Sequence, residues 1–296
     1  MTMNALYVPL LLLMEFSGSP LPVTGPAESL AVSHYEEEAR RAPEDFGAHY
    51  DLGVVYANKG KYEKSVEVFN KAIALKPDSA EAYNYLGSVY ASLRRFDDAI
   101  ASAQKALELN PDLMDARINL AICYENLGRY GEMIEPLKYI IAKKPADPVY
   151  FSLLGSAYYR LGKYEEAILP LEKGIALNSN DWQDFKKLGD SYLALGRYEE
   201  AVEPLRQTLR QMPLLPEAHY NLGTIYAKLG RCEEAVESFN RTVNLSPDFA
   251  EGYANMGWCY QRLGEKEKAI KSYQAALGLN SGLEQVRHNL NLLLKK

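Results

Sequence analysis

The chain is predicted to be all-α, a solenoid of antiparallel helix pairs, and three observations in its 296 residues carry that expectation. A glycine or alanine is followed three residues later by tyrosine at a strict 34-residue spacing: Gly53/Tyr56, Gly87/Tyr90, Ala121/Tyr124, Gly155/Tyr158, Gly189/Tyr192, Gly223/Tyr226 and Gly257/Tyr260. A period of that length marks a helical-repeat array. With Gly53 counted as position 8 of a unit that begins at Phe46, position 15 is glycine at 60, 128, 162, 196, 230 and 264, and Arg94 is the exception. Position 32 is proline at 77, 111, 145, 213 and 247. Glycine suits a left-handed residue that stops a first helix, and proline ends a second one.

The elements follow in order. Residues 26–45 match a second helix alone, from about Glu28 to Arg41, with Pro43 at position 32, so the array is expected to start on a half repeat. Seven repeats then run at 46–79, 80–113, 114–147, 148–181, 182–215, 216–249 and 250–283. Within them, position 7 is Leu52, Leu86, Leu120, Leu154, Leu188, Leu222 and Met256, and position 20 is mostly alanine. Small residues at positions 8 and 20 should let the two helices approach closely, with the position 11 tyrosine filling the space beside them. Each hairpin has a face it cannot bury alone, and stacking hides those faces in a continuous core. Pro136, Pro170 and Pro204 recur at position 23, where a proline is either tolerated or kinks its helix. Residues 284–296 match a first helix with Leu290 at position 7 and Asn291 in place of the glycine, which reads as a polar cap.

Residues 1–25 break the pattern. Ala5 to Met14 is an apolar run, followed by Pro20, Pro22 and Pro26. It is too short to span a bilayer. No basic residue precedes it and no convincing cleavage site follows Glu15, so a signal segment is the weaker reading against a loose apolar leader packing over the half repeat or a misplaced chain start. The expected location is cytoplasmic, or exported or membrane-associated if residues 1–25 act as a signal segment.

The motifs Leu-Gly-x-x-Tyr, Gly-[Lys/Arg]-[Tyr/Phe] and Glu-Glu-Ala with a terminal proline, in register over residues 26 to 296, resemble those of the tetratricopeptide repeat (TPR) family. Similar arrays occur in O-linked N-acetylglucosamine transferase-like proteins and in bacterial scaffold proteins. The resemblance implies a right-handed superhelical solenoid whose concave groove is lined by first helices. It implies binding of a protein or peptide and leaves the partner open.

Several conspicuous features are absorbed by the repeat. The net charge of −6 comes largely from acidic residues at positions 18 and 19, which open second helices where the helix dipole favours carboxylates. No basic stripe suggests nucleic acid. Cys123 and Cys259 at position 10 and Cys232 at position 17 stand where apolar filler is expected, so they read as buried free thiols. The four histidines lack metal spacing and no phosphate loop or dinucleotide turn is present, so no metal, no cofactor and no enzymatic activity is expected.

The candidate site is therefore what the scaffold does not need. In the family's geometry, positions 2, 5, 6, 9, 12 and 13 face the groove, and Tyr85, Tyr159 and Trp258 are the informative aromatics there. Asn119, Asn221, Asn255 and Asn289 fall at position 6, with Asn84 one residue off register. An amide offers a donor and an acceptor, so amides stacked one repeat apart could track an extended peptide. Their spacing resembles the asparagine ladder of O-linked N-acetylglucosamine transferases. Trp258 and Arg262 add an aromatic anchor beside a cation, and Lys186 and Lys187 a basic patch. The carboxylate clamp of some TPR co-chaperones is not expected. Counted from Lys186, Asn221 fits, but Asp190, Glu251 and Asn255 stand where the clamp needs asparagine, lysine and arginine. The expected function is a non-enzymatic adaptor or scaffold that binds an extended or helical segment. The alternatives are an oligomeric scaffold that self-associates through the half repeat and a substrate-recruiting region allied to a glycosyltransferase.

Overall fold

A computed structural model describes residues 27–177 and 180–295. The expectations placed on the leader at residues 1–25 lie outside the described residues. The described helices pair as antiparallel hairpins, and no strand occurs among them.

The helices fall into two compact units that meet at Pro145 and Ala146. The first holds α1 (Ala27–Arg41), α2 (Phe46–Asn58), α3 (Tyr62–Leu75), α4 (Ala80–Ser92), α5 (Phe96–Leu109), α6 (Met114–Asn126) and α7 (Tyr130–Lys143). The second holds α8 (Pro148–Arg160), α9 (Tyr164–Ala176), α10 (Trp182–Ala194), α11 (Tyr198–Gln211), α12 (Pro216–Lys228), α13 (Cys232–Leu245), α14 (Ala250–Arg262), α15 (Lys266–Leu279) and α16 (Glu284–Leu294). Within each unit consecutive helices pack together, and first helices also touch the next first helix: α2, α4 and α6 in one, α8, α10, α12 and α14 in the other. Each unit thus has an inner face of first helices.

Every first helix of a repeat stops the same way. The position 15 residue takes a positive φ, between 67° and 78° at the six glycines and 59° at Arg94. The following N–H then returns to the tyrosine carbonyl at position 11, as from Lys61 to Tyr56 and from Arg197 to Tyr192, both at 2.9 Å. That bond caps carbonyls the helix end would leave unpaired.

The close approach expected between positions 8 and 20 also involves position 24. A Cβ on Gly189 would stand 2.6 Å from Leu205 Cγ, and one on Gly223 2.8 Å from the Phe239 ring. In these repeats position 8 is small because a large position 24 side chain rests on it, while position 20 sits fully buried beside it, as Ala201 and Ala235 do; a Cβ on Gly87 would instead stand 3.2 Å from the Ala99 carbonyl oxygen. In the first repeat, Ser65 at position 20 donates its hydroxyl to the Gly53 carbonyl at 2.7 Å.

The position 11 tyrosines bridge neighbouring repeats. Tyr56 donates its hydroxyl to Glu36 at 2.6 Å and Tyr192 to Glu172 at 2.5 Å, whereas the Tyr226 hydroxyl accepts from Arg206 Nε at 3.0 Å. The arginine at position 16 covers the ring and holds the acid at position 19. Arg197 lies 4.7 Å from the Tyr192 centroid, and its Nε donates to Glu200 at 2.9 Å. The helices α7, α9 and α11 run on past Pro136, Pro170 and Pro204. All three cysteines are buried.

Candidate functional site

The proposed ladder divides between the units. In the first, Asn84 and Asn119 are buried, Asn119 to 1% exposure. Asn119 Nδ2 donates to Asn84 Oδ1 at 2.8 Å and to Ser88 Oγ at 2.9 Å. These amides bond one first helix to the next and have no exposed surface to offer a peptide. Tyr85 is likewise absorbed, packed 5.9 Å from the Phe69 ring and edge-on to Tyr50.

In the second unit the inner face of α8, α10 and α12 converges on one carboxylate. Asp190 accepts from Lys186 Nζ at 2.6 Å, from Asn221 Nδ2 at 2.7 Å and from the Tyr159 hydroxyl at 3.1 Å. Burial, then the neighbouring Asp190 charge, pushes the Tyr159 phenol well above its ordinary range. One turn earlier, Lys187 Nζ stands 3.8 Å from buried Asp184, which accepts from Ser152 Oγ at 2.5 Å. Lys186 and Lys187 therefore form no free basic patch, because each is matched by a carboxylate on its own helix. Asp190 is the residue that sequence reasoning passed over as a mere mismatch. Its signal was an acid four residues after Lys186 on the groove side.

Nearer the C-terminus the face opens. Asn255 donates Nδ2 to the Tyr220 hydroxyl at 3.2 Å, and Asn289 bonds the Tyr273 hydroxyl and accepts from Gln285 at 3.0 Å. Asn221 and Asn255 are half-buried and each gives one N–H to the stack, and their carbonyl oxygens are acceptors they can present. Trp258 is 39% exposed, with the Arg262 guanidinium 5.5 Å from its ring. Leu292 of α16, at the same position 9 as Trp258, is 46% exposed. Of Tyr85, Tyr159 and Trp258, Trp258 is the exposed one.

No group of three or more His, Cys, Asp or Glu side chains among the described residues is placed to hold a metal ion. No described helix is long and apolar enough to cross a membrane.

Sequence models described as tetratricopeptide repeat match residues 80–113, 102–135, 186–248 and 250–283, and one described as TPR repeat matches 55–93. A model of anaphase-promoting complex, cyclosome, subunit 3 matches 137–208. No curated protein matches the chain. Among solved structures, the C-terminal part of a TPR repeat-containing protein from Cytophaga hutchinsonii superposes with a TM-score of 0.60. It is 18% identical, over 81% of this chain and 99% of that one. YrrB, described as a TPR protein with an unusual peptide-binding site, gives a TM-score of 0.56 at 24% identity, covering 63% of this chain and 96% of its own. MamA gives 0.53 at 21%, over 58% and 94%. At these identities the likeness is one of fold.

Proposed function

Because the chain belongs to the tetratricopeptide repeat family, we propose that it is a non-enzymatic adaptor that holds an extended or helical segment of a partner protein. The segment lies against the inner face of α12, α14 and α16. The observation that carries this reading is Trp258, a large aromatic left 39% exposed on a helix whose other apolar side chains are spent on packing. Buried aromatics and arginines dominate binding energy at interfaces, so an exposed tryptophan covered by an arginine is the arrangement a partner would bury. The Oδ1 acceptors of Asn221 and Asn255 lie one repeat apart, where they can receive backbone N–H groups without reading side chains.

The test is affinity capture from native lysate with wild type and with Asn255→Ala/Trp258→Ala, both shown to melt at the same temperature. At least one protein should drop about tenfold with the variant, the equivalent of about 1.4 kcal/mol. Identical captures would remove this face from consideration.

A further inference from the structure

Several cations of the second unit are satisfied within it: Arg197 and Arg231 at position 16 bond Glu200 and Glu234, Arg231 through Nε at 2.5 Å, and Lys186 and Lys187 pair with Asp190 and Asp184 on α10. Lys228 and Arg262 are different. Each is the exposed last residue of its first helix, at position 13 of α12 and α14, and among the described residues neither has an acidic partner. The Arg262 guanidinium lies over the Trp258 ring, and Arg160 is a third exposed cation at the end of its first helix, α8. A helix C-terminus favours a cation, but the fold does not need one there. Position 13 is Asn58, Ser92, Asn126 and Ala194 in the other first helices, which end in the same left-handed turn. On the same face of α12 and α14, the acids Glu217 and Glu251 lie near the helix starts, about 16 Å away along the axis. One lip of the inner face is thus basic and uncompensated, with the exposed Trp258 beside it.

We infer that the partner segment is acidic and extended, its carboxylates meeting Lys228 and Arg262 while an apolar side chain covers Trp258. The inference rests on the binding face proposed above and adds the chemistry of what fills it. Neighbouring helices lie about 10 Å apart, and an extended polyproline-type chain advances about 9 Å per three residues with every third side chain on one face. Carboxylates three residues apart therefore match the repeat spacing.

The probe is a fluorescein-labelled peptide with glutamate at every third position and a central leucine, compared with its lysine counterpart by anisotropy. Wild type should bind the glutamate peptide at least tenfold more tightly, and the advantage should shrink as salt rises from 0.05 to about 0.5 M. Lys228→Glu/Arg262→Glu should invert the preference, a readout that simple loss of folding cannot produce. Equal binding of both peptides, lost in Trp258→Ala, would overturn the acidic inference and leave the binding face standing. No binding of the glutamate peptide by wild type would also overturn it, while lysate capture decides the face separately.

Discussion

Asn119 Nδ2 lies 2.8 Å from Asn84 Oδ1, so that one amide donates to another about one repeat before it instead of to a ligand. The same donor reaches Ser88 Oγ at 2.9 Å, and the group is almost wholly buried. A position that looks like the first rung of a peptide ladder is a seam between α4 and α6.

Asn119→Ala should accordingly cost about 1–3 kcal/mol, since it leaves buried acceptors on Asn84 and Ser88 unpaired. Urea unfolding measures the loss, and lysate capture should be unchanged at a temperature where the variant is folded. An unaltered midpoint with a lost partner would return Asn119 to the binding face.

Arg94 holds a φ of 59° at the one position 15 that is not glycine. An L side chain pays for that left-handed conformation, so Arg94→Gly should raise stability by about 1 kcal/mol. A thermal melt showing no gain, or a loss, would mean that the arginine side chain contributes more than the backbone strain removes.

Stability should fall at alkaline pH. Burial pushes the Cys123 and Cys259 thiols up to about 12, and burial with the bond to Glu36 pushes Tyr56 up to about 12. These groups release protons near pH 9 to 10 in the unfolded chain but near 12 in the folded one. The folded state binds more protons between those limits, so its advantage is complete below about pH 9 and is lost as pH rises toward 12. Urea midpoints at pH 8, 10 and 11 should decline in that order. A flat series would contradict the burial of these groups.

The hairpins were legible because positions 8, 15 and 32 are backbone constraints. Gly60 takes a left-handed φ and Gly189 lies against Leu205, and such demands leave a signature in a single residue. The candidate binding face was less legible because its residues are defined by pairs. Whether a position 6 asparagine faces a partner protein or its own neighbour depends on what stands in the previous repeat: Asn84 for Asn119, Asp190 for Asn221, Tyr220 for Asn255. Lys186 and Lys187 were misjudged more locally, since Asp190 and Asp184 lie four and three residues away on the same helix. Trp258 was recognisable because nothing in the repeat asks for an aromatic at position 9.

The tyrosine hydroxyl at position 11 meets an acid at Glu36 and Glu172 but a base at Arg206. A hydroxyl can give or take a proton-sharing bond, so it accepts either sign of charge from the hairpin before it. A duplicated hairpin inserted within either unit would bring a joint that fits whichever neighbour it meets. Such an array can gain or shed copies without redesigning its seams, and its length is then free to evolve separately from the face proposed to hold a partner.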